Sequence, residues 1–482
     1  HDNQFHRKSE TKSSDNDNLT KEDFKTMTAA AFEQLDNKKL NQYLRSNGFQ
    51  EKYRAENVKQ LVRDGQVKPV DLAKYLEDAN ALLFDTPVIG AEVYLSVDGG
   101  KTWNKTHEGY IDDLYYSYGY YFGQISVHPS DVNQIYLCGV PLIKSNDGGK
   151  TFEAIDKENV HSAHHALWVT PNRQGHLING NDGGINITYD DGKNWLKAND
   201  PPVGQFYYIN VDNQKNYHVY GGLQDNGVWG GPNNYRFSKN WQAECRYPFL
   251  DIMVGYGMHV QIDSKHDLGE SPYRFNWQTP ILLSPHNQDI LYFGSNHLHR
   301  SLDKGEIWTN ISPDLTQGSR KGNVAYGTLT TISESPFQFG MIYTGADDGL
   351  VYLTENGGGT WQNISSAFPK DLWVSRVVAS QHKKDRVYVT LNGYRWDDFT
   401  PYVWVSNDKG VSWTDISSNL PASAVNVIKE DPVSPDVLYL GTDNGVFVTF
   451  DGGKNWMSFA EGLPRVAVHD LVVHPEAGDL LI

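Results

Sequence analysis

Apolar residues keep two different periods along this chain. Between Leu19 and Phe84 they recur at three and four spacings in "KEDFKTMTAAAFEQL", "KKLNQYLRSNGF", "AENVKQLVRDG" and "KPVDLAKYLEDANALLF", the signature of helices with one buried face. Gly48 and Gly65 stand where two of these helices stop, and Pro69 where the last begins. The pattern predicts a module of about four helices over 19–85, read as an insertion or docking element. Residues 1–18 are polar and nearly free of apolar side chains, which predicts a disordered arm or linker. From residue 86 onward the period changes to short strand-like runs separated by tight turns.

Those runs repeat. A strand, an "HP" or "SP" turn, a strand ending in Tyr-x-x-Gly, a tight turn, a third strand and a Ser-x-Asp-x-Gly-x-x-Trp box recur in "VHPSDVNQIYLCGVPLIKSNDGGKTF", "LSPHNQDILYFGSNHLHRSLDKGEIW", "ESPFQFGMIYTGADDGLVYLTENGGGTW" and "EDPVSPDVLYLGTDNGVFVTFDGGKNW". The third box position falls at Asp98, Asp147, Asp190, Asp303, Asn356, Asp408 and Asp451, at intervals of 49, 43, 113, 53, 52 and 43 by subtraction. Such a period with four strand-like runs per unit predicts a mainly β protein, a β-propeller of four-stranded antiparallel blades. Boxed blades are expected over 86–200 and 301–482, the last of them incomplete, with blades lacking clear boxes over 201–300. The interval of 113 has room for two units.

The box reads as a fastener. Glycine at its fifth position can take the positive φ of a tight turn, the Ser or Thr and Asp side chains can bond to turn backbone, and the closing aromatic can pack back on the blade. A calcium loop would need more oxygen ligands and a closing acid. The boxes resemble the Asp-box, or bacterial neuraminidase repeat. The wider units are similar to sortilin-type propeller repeats of large bacterial secreted proteins often labelled glycosyl hydrolase-like, over roughly Val88 to Ile482 and including "HHALWVTP", "GGLQDNGVW", "RFNWQTPILLSP" and "LNGYRWDDF". The resemblance implies a secreted, periplasmic or cell-surface protein. Where it leads one to expect His-x-Asp-His-His, this chain has "HSAHH", so Ala163 takes the place of a carboxylate.

Charge narrows the partners. With 42 Lys+Arg against 59 Asp+Glu, a formal charge of -17 and no long basic run, the chain is a poor match for nucleic acid. No stretch approaches the roughly 20 apolar residues of a membrane span. Cys138 and Cys245 are too few for a disulfide framework or a four-cysteine metal site, and leave one pairing open. An extended "HSAHH" puts His161 and His165 about 13 Å apart, with His164 facing the other way. No metal and no cofactor are expected.

Candidate chemistry concentrates opposite the boxes. The turns between second and third strands carry Asp182, then Gln224, Asp225 and Asn226, then Asp347 and Asp348, then Asp443. The innermost strands carry Gln124, His164, His165, Asn276, Trp277, Trp373, Arg376, Asn426 and His469, where a packed strand prefers aliphatics. A glycosidase needs two carboxylates about 5 to 9 Å apart. For that role Asp182, Asp225, Asp397 and Asp398 are the candidates, with Arg395 and Trp396 beside the last two to hold a sugar face. The leading expectation is a binding or scaffold protein for a protein, peptide or polysaccharide ligand, contacted by His164, His165, Gln224, Asp225, Asn226, Trp277, Trp373, Arg376, Arg395 and Trp396. The alternatives are a glycoside hydrolase, or a subunit docked into a larger envelope assembly through the helical module.

Overall fold

The computed structural model describes residues 19–76, 90–115, 121–157, 159–198, 206–223, 227–234, 250–253, 266–320, 326–459, 461–463 and 465–482. The arm over 1–18, the end of the helical module, Cys245 and the turn Gln224, Asp225 and Asn226 lie outside them. Cys138 is a buried free thiol.

Among the described residues, seven sheets are four-stranded antiparallel meanders, each strand bonded to its neighbours in sequence: blade 1 over 125–154, blade 2 over 164–197, blade 3 over 206–253, blade 4 over 281–310, blade 5 over 329–363, blade 6 over 373–415 and blade 7 over 425–458. Two-stranded sheets stand at 94–105 and 472–481. These are β-propeller blades. Blade 3, which has no box, and blade 4, which ends in one, together fill the interval of 113. The chain forms two compact units. The first holds the 94–105 hairpin with blades 1 and 2; the second holds the helices, blades 3 to 7 and the 472–481 hairpin.

Among the described residues the helical module has five short helices: α1 (Lys21–Thr26), α2 (Ala29–Glu33), α3 (Asn37–Ser46), α4 (Ala55–Arg63) and α5 (Pro69–Lys74). The stretch read as one helix over "KEDFKTMTAAAFEQL" is two, because Met27 at the end of α1 and Thr28 before α2 are both extended. The apolar face closes on Phe24, Phe32, Leu40, Leu44, Phe49, Val58 and Leu72. Leu268, from the segment between blades 3 and 4, completes that core. Its N–H donates to Tyr53 Oη at 2.8 Å, and Lys52 pairs with Asp267.

Each box builds the same turn. The first-position hydroxyl accepts the fifth-position glycine N–H at 2.7–3.1 Å, and the third-position side chain accepts the seventh-position N–H at 2.8–3.0 Å. Asn356 keeps this geometry through its Oδ1 and donates to Thr360 with its amide, which is why it can replace aspartate. The box also joins blades. Trp195, Trp361, Trp413 and Trp456 each donate Nε1–H to the backbone oxygen of an isoleucine in the preceding blade, Ile155, Ile311, Ile364 and Ile416, at 2.7–3.2 Å. The fifth-position glycine sits on the same isoleucine: a Cβ on Gly410, whose φ is 90°, would lie 2.6 Å from Ile364 Cδ1. Glycine is needed there twice, for its φ and for the close approach.

Candidate functional site

Blade 6 has the longest third strand of the described blades. Its second strand, Val387–Gly393, turns through a 3-10 turn at Tyr394–Trp396, and Asp397 at φ 57° releases the chain into the third strand, Asp398–Ser406. That strand separates this turn from the box at its other end by roughly 30 Å. Tyr394, Trp396 and Phe399 are 42%, 45% and 48% exposed, a concentration of aromatic surface on one turn. The Arg395 guanidinium carbon lies 4.2 Å from the ring centroid of Trp373 and 4.5 Å from that of Tyr394. Both contacts are within cation–π range. Among the described residues Arg395 has no hydrogen bond and no ion pair.

A buried amide relay holds this turn. Tyr394 N–H donates to Asn392 Oδ1 at 3.2 Å, Asn392 Nδ2 to Asn426 Oδ1 at 2.6 Å, and Asn426 Nδ2 to Asp443 Oδ1 at 2.9 Å. Asn426 occupies a bulge in the first strand of blade 7, between paired residues Val425 and Val427. His165 occupies the equivalent bulge of blade 2 and bonds to its own turn acid, Asp182, at 2.8 Å. Bulges re-aim side chains; here they aim them at the turns opposite the boxes.

Beside the platform lies a charge cluster. Arg376 donates to Asp470 Oδ1 at 3.1 Å, to His469 O at 3.2 Å and to Ser375 O at 3.1 Å, and its guanidinium lies 5.4 Å from the Tyr208 ring centroid. The other Asp470 oxygen accepts Ile209 N–H at 3.1 Å. Lys429 is half-buried nearby; burial lowers its ammonium pKa, Asp470 opposes this and Arg376 adds to it. His469 is held below the usual histidine range, first by its low-dielectric surroundings, with Asp443 pulling the other way and the Arg376 and Arg395 cations deepening the shift.

The remaining sequence candidates fall elsewhere. His164 is fully buried, with Nδ1 2.8 Å from Asn179 Oδ1 and Nε2 3.4 Å from Asp156 Oδ2, so it belongs to the core of blade 2 and not to a ligand surface. The extended run expected over His161–His165 is broken by Ala163 at φ 62°, and the strand starts at His164. His165 stacks on Phe122, ring centroids 5.3 Å apart, and meets Tyr121 edge-on. Trp277 is 56% exposed in the segment before blade 4, next to buried Asn276, which bonds to Thr328 Oγ1. Asp398 accepts from Thr400 N–H and from Tyr402 Oη–H; burial opposes, but those bonds hold its carboxyl below the ordinary range. Asp397 is exposed.

Among the described residues, the carboxylates pushed upward are Asp347 and Asp348, both by burial. Asp347 reaches about 6 and is only 2% exposed, bound by Gly327 N–H, Thr328 N–H and Thr328 Oγ–H. Sequence reasoning passed over Tyr394, Lys429 and Asp470. Tyr394 was legible only as one aromatic in "GYRWDDF", and the other two follow a strand pattern that gives no sign of what they face.

No protein-family model and no curated protein matches this chain. Among solved structures, a GH74 enzyme of Niastella koreensis aligns at 11% identity over 77% of this chain and 67% of that one, with a TM-score of 0.24. YCF48 from Cyanidioschyzon merolae aligns at 13% identity over 68% and 94%, with a TM-score of 0.28. A structure described as YCF48 bound to D1 peptide gives 14%, 70%, 85% and 0.26 in the same order. These are β-propeller proteins. At such scores neither a ligand nor an activity passes from them to this chain.

Proposed function

We propose that this chain is a secreted or envelope-associated binding protein of the sortilin-type, box-repeat class, which holds a protein, peptide or glycan ligand on the Trp373–Tyr394–Arg395–Trp396 platform of blade 6. One observation carries the reading: an exposed guanidinium in contact with two aromatic rings, with no hydrogen bond or ion pair among the described residues, on a turn held by the relay to Asp443. Such a group is preorganised, so a ligand gains its contact without the entropy of ordering it. The hydrolase alternative draws less support. Asp398 is committed to its own turn and Asp347 to Thr328, whereas a glycosidase acid must be raised and also reach the scissile bond.

Glycan and peptide arrays probed with the wild type and with Trp396→Ala test this reading. Trp396 is 45% exposed, and the melting temperatures of the two proteins are compared to separate lost binding from lost folding. A spot that binds the wild type and loses roughly tenfold or more in the variant supports the platform, the scale of an interface anchor. Equal binding by the two proteins, or release of cleaved sugar from any spot, overturns it.

A further inference from the structure

Three features of the platform together restrict what it can hold. The first is the direction left open on Arg395. Ring contacts at 4.2 and 4.5 Å use none of the guanidinium N–H groups, and because a guanidinium is planar with every N–H in its plane, the unsatisfied donors lie along its edge. An edge-on guanidinium matches a carboxylate, which accepts two parallel N–H bonds in one plane.

The second is which charge near the turn is left uncommitted. Arg376 is matched by Asp470, whose second oxygen is spent on Ile209 N–H. Asp443 is tied to Asn426, and Asp398 to Thr400 N–H and Tyr402 Oη–H. Arg395 has neither a hydrogen bond nor an ion pair among the described residues, although Asp397 stands exposed beside it. Its guanidinium is therefore a local point at which a ligand anion can be held, within a chain of formal charge -17.

The third is the kind of surface around it. A peptide added as a strand needs a free sheet edge. Here the second and third strands of blade 6 stay paired up to the turn, through Leu391 with Tyr402 and Gly393 with Asp398. What the turn offers is exposed ring surface on Tyr394, Trp396 and Phe399, which suits the flat apolar face of a pyranose ring.

We propose that the platform binds an acidic polysaccharide, with a uronate carboxylate on the edge of Arg395 and neighbouring sugar rings on Trp396 and Phe399. This rests on the binding reading above and names its ligand class.

The test is affinity electrophoresis and titration calorimetry of the whole chain with polygalacturonate, its fully methyl-esterified form and poly-L-glutamate. Polygalacturonate binds, and esterification weakens it by roughly 10- to 100-fold, the worth of a charge-assisted bond pair. Arg395→Ala reproduces that loss with the acid and leaves the ester unchanged; Arg395→Lys recovers part of it. Binding of acid and ester alike, or an Arg395→Ala variant that holds the acid as well as the wild type, overturns the acidic-ligand inference while glycan binding stands. Tighter binding of poly-L-glutamate overturns it in favour of an acidic peptide. If none of the three polymers binds and the arrays are blank, the binding reading falls as well.

Discussion

The seam between blades 4 and 5 and the seam between blades 5 and 6 use the same repeat position differently. In the first, the second-strand tyrosine of blade 4, Tyr292, donates to Glu334 Oε1 at 2.9 Å, and Ser284 donates to Glu334 Oε2 at 2.6 Å. Blades 6 and 7 repeat this with Tyr388 and Ser380 on Glu430. In the seam between blades 5 and 6, Ala379 takes the place of the glutamate, and the hydroxyl of buried Tyr343 has no hydrogen-bond partner among the described residues. That seam is held instead by first-strand bonds, with Ser333 Oγ accepting Ala379 N–H at 2.9 Å and Thr330 Oγ1–H donating to Val374 O at 2.6 Å. A blade interface in this fold thus needs its backbone and hydroxyl groups satisfied, but not by one fixed device. The platform on blade 6 is tied across a glutamate seam, through Asn392 to Asn426 of blade 7.

The strongest way to break the contrast is to make a glutamate seam resemble the other without its compensation. Glu430→Ala strips the acceptor from Ser380 Oγ, Gln381 N–H and Tyr388 Oη together and opens a cavity. At about 1–3 kcal/mol for each buried donor left unpaired, the expected loss is on the order of 3–5 kcal/mol in urea unfolding. A loss below about 1 kcal/mol would show that the seam repacks as the Ala379 seam has done.

A second buried acid, Asp347, contributes in the opposite sense. Burial raises its carboxyl from 3.8 to about 6, against the pull of the Thr328 bonds. The native state therefore holds a proton that the unfolded chain has lost between those values. The stabilisation this gives is fully present below pH 3.8 and is lost as pH rises through about 6. Asp347→Asn keeps an Oδ1 acceptor for Gly327 and Thr328 N–H and does not titrate. Relative to the wild type, the variant gains on the order of 2 kcal/mol between pH 4 and 7. Parallel stability–pH curves for the two proteins would refute the buried-acid account.

Much of this was written in the chain, though not all in the motif that draws the eye. The box announced the blades because its hydroxyl, Asp and Gly N–H bond within one turn, and short-range chemistry survives as a fixed spacing. The interblade contacts are legible only by reading two repeats at once. Isoleucine stands three residues after the box aromatic at Ile155, Ile311, Ile364 and Ile416, each followed by another boxed blade. Before the boxless blade 3 and the terminal hairpin the same place holds Ala198 and Phe459, where no box tryptophan arrives to bond. The platform was half legible. Trp373, Arg395 and Trp396 stood out as unusual strand and turn residues, but nothing in the spacing shows that Trp373 and Tyr394 close on Arg395, because strand pairing across a long turn brings them together. His164 misled for the same reason in reverse: alternation did not reveal that it turns into the blade, toward Asn179.

The smallest effect separates the two seams most sharply, because the same atom is removed from both. Tyr388→Phe deletes a hydroxyl that donates to Glu430 at 3.2 Å, at a cost of about 1–2 kcal/mol. Tyr343→Phe deletes a hydroxyl with no partner among the described residues, whose desolvation the fold carries without return. Its removal is expected to be neutral or stabilising by up to about 1 kcal/mol. Measured together by urea unfolding, the two variants must differ in sign or by more than about 1 kcal/mol, since ring packing is unchanged in both. Equal losses would mean that Tyr343 Oη has a bridging water, and that the Ala379 seam is satisfied by solvent in place of the missing glutamate.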